Sequence, residues 1–147
     1  MNTGAIPIVL VASGTATAAS ETYQKMDTVF RRHFPGHEIC WAYSSRAIRN
    51  RVRAQGGGEL KTPSAVLGDL AARGYRQAVV QSLHLICGTE FHHMVWAAAK
   101  SPLAVNLGLP LLSHPEDFSD VMDWMATLIP PDAREALVWV GHGTAHP

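Results

Sequence analysis

A chain of 147 residues has the length of one ordinary globular domain, and 47% hydrophobic with 16% charged residues is too apolar for a disordered chain and too mixed for a fibrous one. Twelve basic residues balance twelve acidic ones, which argues against a generic nucleic-acid coat, while eight histidines direct attention to metal or proton chemistry. Two cysteines, Cys40 and Cys87, exclude a disulfide scaffold and read as reduced thiols in apolar surroundings.

Near the start, Ile6–Ala12 followed by Ala16-Thr17-Ala18 imitates a secretory signal, but the first basic residue is Lys25, so no positive charge precedes the apolar run. The run reads as a buried strand. No apolar stretch reaches the roughly 18 residues that cross a bilayer, and no lipidation motif is present. The expectation is a cytoplasmic protein with no membrane contact.

Ile6–Ser13 is short and β-branched and ends at Gly14-Thr15, as in a strand covered on both faces. A helix follows from about Ala18 to Arg32, with Tyr23, Met26, Val29 and Phe30 at helical spacing and Pro35-Gly36 as its stop. Glu38–Tyr43 is a second strand. Ser44 and Ser45 are natural caps for a helix through about Arg53, and Gly56–Gly58 is a loop. Thr62 caps and Pro63 opens another helix, with Val66, Leu67 and Leu70 inward and Gly74 at its end. Gln77–Leu83 is a third strand, Glu90–Lys100 a helix and Asn106–Leu112 a fourth strand. A last helix begins near Pro115, burying Phe118, Val121, Met122, Met125 and Leu128 until Pro130-Pro131 ends it.

This alternation predicts right-handed βαβ units and an α/β fold, a flavodoxin-like parallel sheet flanked by helices. Parallel strands end on one edge, where ligands bind, so Ser13, Ser44, His84 and His114 are expected to gather there.

The chain also echoes itself. Ile8–Ala16 and Leu137–Ala145 are identical at five of nine positions, including a shared Gly-Thr-Ala exit. On one reading, residues 1–135 form a half-domain and Ala136–Val140 is the first strand of a second half, which needs the missing half or a second copy of the chain to close a cleft. On the other, Ala136–Val140 is the last strand of a complete five-stranded domain with a free tail.

Several side chains on the expected edge suit chemistry. His142, between Gly141 and Gly143, is an imidazole with little bulk around it, fit for a metal ligand or general base. Glu90, just beyond the third strand, is a carboxylate that can join imidazoles on a borderline divalent ion; it also fits a first-turn residue favoured by the helix dipole. His84 reads equally as a buried, hydrogen-bonded histidine or as a site residue. His92 and His93 point about 100° apart on a helix and cannot easily serve one site, while His33, His37, His114 and His146 read as surface or capping residues. Arg46, Arg49 and Arg53 fall within about 60° on one helical face. Six arginines and one acid lie between Arg31 and Arg53, whereas beyond Glu90 six acids face only Lys100 and Arg134. Such a stripe favours an anionic small molecule, polycarboxylate or phosphate, or else is a solvated helix face. Nucleic acid is disfavoured because no stacking aromatics interleave with the arginines. No G-x-G-x-x-G, P-loop lysine or G-x-S-x-G is present, so no nucleotide cradle and no serine nucleophile are expected.

Together, Val11-Ala-Ser-Gly-Thr15, Trp41-Ala-Tyr-Ser-Ser-Arg46, Val80-Gln-Ser-Leu-His84, Gly88-Thr-Glu90 and Gly141-His-Gly-Thr144 resemble the anaerobic sirohydrochlorin cobaltochelatases, class II chelatases of cobalamin biosynthesis. The resemblance runs along the whole chain and covers the family's N-terminal half plus the first strand of the second. It implies two flavodoxin-like halves across a cleft and ATP-independent insertion of Co(II) into sirohydrochlorin. His142 falls on the family's catalytic histidine, which binds metal and takes up protons; the family's further metal-binding Glu and His belong to the second half. The resulting expectation gives His142 and Glu90 to cobalt and protons, and Arg46, Arg49, Ser13 and His84 to the tetrapyrrole. Two competing expectations are a non-enzymatic tetrapyrrole or metal carrier with His84 on haem iron, and an anion-binding module without metal.

Overall fold

The computed structural model describes residues 4–130, 134 and 136–140. Four strands, β1 (Ile8–Ala12), β2 (Ile39–Tyr43), β3 (Gln77–Ser82) and β4 (Ala104–Gly108), form one parallel sheet in the order β2-β1-β3-β4. The central pairings run Ile8 opposite Ile39 and Ile8 opposite Val79. Five helices accompany them: α1 (Ser20–His33), α2 (Arg46–Ala54), α3 (Pro63–Ala72), α4 (Thr89–Ala99) and α5 (Pro115–Ala126). The α/β expectation therefore holds, in an arrangement of flavodoxin-like kind. Among the described residues no helix is long and apolar enough to cross a membrane.

The strand Ile-Val-Leu-Val-Ala is buried at every position, so its residues feed cores on both faces. Val9 and Val11 meet Val66, Leu67 and Leu70 of α3 and Phe91 and Met94 of α4 on one side. On the other, Ile8, Leu10 and Ile39 meet Phe30 of α1, with Trp41, Val79 and Leu83 half-buried around them. Gly14 makes the exit from β1 with φ +93°, and a Cβ there would lie 3.2 Å from both Ile48 and Tyr43. Thr62 caps α3 through a hydrogen bond from the Ala65 N–H, with Pro63 in the first turn, as the sequence predicts.

Two expectations are corrected. The fourth strand was expected at Asn106–Leu112 but occupies Ala104–Gly108; Leu111 and Leu112 lie past the sheet, their N–H groups bonding to the carbonyls of His84 and Leu85. The apolar run therefore tracks an extension beside the site rather than the ladder itself. Helix α5 forms but buries no residue: Phe118 is 51% and Met122 61% exposed. Among the described residues no layer buries its apolar stripe, and the sheet face that carries α1 is left open beside β3 and β4. An apolar slot of about 360 Å³ remains there, lined by Met26, Phe30, Leu83, Leu85, Leu109 and Leu111 among others. Among the described residues, Ala136–Val140 carries no regular secondary structure, and Val140 is 90% exposed.

Candidate active site

The C-terminal ends of β1, β2 and β3 converge on Glu90, in the first turn of α4. Glu90 Oε2 accepts a hydrogen bond from Ser13 Oγ, just after β1, at 2.5 Å, and another from Ser44 Oγ, just after β2, at 2.8 Å. Ser44 Oγ also lies 2.9 Å from Nε2 of His84, just after β3, and His84 Nδ1 lies 2.8 Å from Ser82 Oγ. Between His84 Nε2 and Glu90 Oε2 the distance is 3.7 Å, with side chains 7% and 34% exposed. The expected gathering at the strand edge is thus found for Ser13, Ser44 and His84. His114 instead caps α5, opposite its Asp117 partner, with no contact to the other three described.

Proton accounting fixes the polarity of this chain. The carboxylate can only accept, so the single hydroxyl proton of Ser44 goes to Glu90; Ser44 Oγ then accepts from Nε2–H, and Nδ1 accepts from Ser82. Burial pulls the Glu90 carboxyl up, but hydrogen bonds from Ser13, Ser44 and Ser45 and the nearby His84 outweigh it and leave it below its ordinary range. Burial depresses His84, against the opposing pull of Glu90. An ionised carboxylate beside a neutral, doubly hydrogen-bonded imidazole is the resulting state near neutrality. His84 therefore offers a haem iron no lone pair unless its bond with Ser82 breaks.

Other candidates are dispersed around this centre. Arg46 is the exposed first residue of α2. Arg49 is half-buried, and its Nη1 donates to the carbonyls of Tyr43 at 2.7 Å and Ser44 at 2.8 Å, so part of its guanidinium is spent closing the end of β2. His92 and His93 are exposed on α4, and Cys40 and Cys87 are free thiols. Among the described residues no three His, Cys, Asp or Glu side chains are grouped to hold a metal; His142 lies outside the described residues. Sequence reasoning placed Ser44 at this edge but missed its bonds to His84 and Glu90, and it missed Ser82. Ser45 alone caps α2, by accepting from the Ile48 N–H at 3.5 Å, which frees Ser44 to face the edge.

The sequence matches the Cobalt chelatase (CbiK) family over residues 5–147. The chain belongs to this family. It is 34% identical over 116 residues to a sirohydrochlorin cobaltochelatase of Salmonella typhimurium, across 76% of this chain and 44% of that protein. It is 31% identical over 150 residues to sirohydrochlorin cobaltochelatase CbiKC of Nitratidesulfovibrio vulgaris, across 95% of this chain and 52% of that one. The chain thus spans about half the length of the curated relatives it matches. Within this CbiK family member, the matched region contains the whole Ser13, Ser44, His84 and Glu90 cluster.

Proposed function

We propose that this chain takes part in inserting Co(II) into sirohydrochlorin without ATP, as a step of cobalamin biosynthesis. Membership of the CbiK family over residues 5–147 carries the reading; the ionised Glu90 at the C-terminal edge of a parallel sheet, where ligands of α/β folds bind, supports it. Insertion requires loss of two pyrrole N–H protons and a metal held at the ring until it exchanges ligands. In this reading His142 presents cobalt and accepts protons, helped by Glu90. Arg46, and the part of Arg49 not bonded to β2, meet the acetate and propionate groups of the substrate. Ser13 and His84 act at the pocket wall through the hydrogen-bonded cluster around Glu90.

The reading includes a partner half across the cleft, either the other half of a longer polypeptide or a second copy of the chain. The uncovered stripe of α5 and the apolar slot beside α1 support such a partner, as does a span of about half of each relative. A cytoplasmic location is part of the same reading and accords with the free thiols. The test is anaerobic cobalt insertion, followed by the change in the sirohydrochlorin spectrum, with the wild-type chain and with His142→Ala. Loss of turnover in the variant is expected; undiminished turnover removes His142 from the mechanism, and a wild-type chain that inserts no cobalt even when joined to its partner half overturns the reading.

A further inference from the structure

Resting on the chelatase reading above, we propose that Ser44 is the positioning residue that holds Glu90 at the crevice by standing between it and His84. Its backbone is fixed from both sides. The Ser44 N–H donates to the Ala12 carbonyl of β1 at 2.9 Å, and its own carbonyl accepts from Arg49 Nη1 at 2.8 Å. The hydroxyl therefore has little freedom, and it touches groups from three elements: Ala12 O at 3.3 Å, His84 Nε2 at 2.9 Å and Glu90 Oε2 at 2.8 Å. With one proton to give, it bonds the ionised carboxylate and takes the Nε2–H of His84.

Removing the hydroxyl leaves the Nε2–H of a buried imidazole without an acceptor, which is costly. A charged acceptor, Glu90 Oε2, lies 3.7 Å away. The two groups then close on each other, and the carboxylate swings from the crevice toward the sheet. Ser44 thus acts as a spacer: it satisfies both partners while keeping them apart. Groups that orient a metal-binding carboxylate in this way typically change affinity or activity by about 10- to 100-fold when lost.

The test compares the wild-type chain with Ser44→Ala, Ser44→Thr, Glu90→Gln and the Ser44→Ala/Glu90→Gln double variant, each checked by circular dichroism to be folded at the assay temperature. Ser44→Ala is expected to lower kcat for cobalt insertion about 10- to 100-fold with KM for sirohydrochlorin unchanged. Ser44→Thr restores most of the rate, and the double variant is little worse than Glu90→Gln alone. A nitrogen NMR spectrum of the histidine rings supplies an activity-independent readout: His84 carries its proton on Nε2 in the wild type, and the Nε2–H signal shifts in Ser44→Ala. Undiminished turnover in Ser44→Ala, full additivity with Glu90→Gln, or an Nδ1–H tautomer in the wild type overturns the positioning role. Should the wild-type chain joined to its partner half insert no cobalt, the chelatase reading fails, while the tautomer and its response to Ser44→Ala still decide whether Ser44 separates the pair.

Discussion

The indole N–H of Trp41, on β2, donates to Asp27 Oδ1, on α1, at 2.9 Å, and the other oxygen of the same carboxylate accepts from Arg31 Nε at 2.7 Å. This one side chain ties the only helix packed on its sheet face among the described residues to the edge strand beneath it. Asp27→Ala is expected to destabilise the chain by about 1–2 kcal/mol, because a half-buried indole donor loses a charged acceptor. Urea unfolding monitored by tryptophan fluorescence measures it; an unchanged midpoint would show that the indole finds water instead.

Acid should act in part through Glu38. Hydrogen bonds from Arg73 outweigh the effect of burial and, with Tyr75, hold its carboxyl at about 2, against an ordinary 4.5. A carboxyl depressed in the folded state stabilises above its unfolded pKa and loses that contribution as pH falls from about 5 toward 2. Because the Arg73 and Glu38 pair is partly exposed, the contribution is about 1 kcal/mol or less. Glu38→Gln is expected to flatten the acid limb of a stability-versus-pH curve, and an identical limb in the variant would rule out this origin.

Burial, followed by the neighbouring Glu38 carboxylate, pushes the Cys40 thiol up to about 11. Since the thiolate is the reactive form, iodoacetamide at pH 7.5 should modify Cys40 far more slowly in the folded chain than in urea. Mass spectrometry of peptides after a short pulse checks this, and equal rates in the two states would contradict the burial.

Helix α4 brings Glu90 to the edge through packing one turn further along. Met94 is fully buried against the sheet. Met94→Ala is expected to cost about 2–5 kcal/mol and to loosen the site, whereas Met122→Asp on the exposed stripe of α5 should alter the stability of the isolated chain by no more than about 0.5 kcal/mol. Paired denaturation curves test the contrast. Comparable losses for both would mean that α5 is covered in solution.

Much of this fold was readable from periodicity and punctuation. The β-branched run of β1, the Thr62-Pro63 start of α3 and the Gly74 stop each carry a local physical signal, and each lies where expected. The errors arose where burial depends on what lies alongside. Phe118 and Met122 have the spacing of a core stripe, but spacing reports which face is apolar and not whether anything covers it. At Asn106–Leu112, apolarity continued past the end of the ladder because Leu111 and Leu112 pair with the tail of β3. Within the site, Glu90, Ser13 and His84 were legible from their places at strand ends. Ser44 was read both as an edge residue and, with Ser45, as a natural cap, and the geometry gives the cap to Ser45.

The beginning of a helix ordinarily frays, since its leading amides lack partners within the helix. In α4 the second residue is instead stitched through Ser13 and Ser44 to the ends of two neighbouring strands. Opening that turn alone would strand both hydroxyls, so amide exchange there should approach the rate set by global unfolding. A carboxylate already immobilised in this manner surrenders little rotational freedom when a ligand arrives, which favours tight and geometrically selective capture.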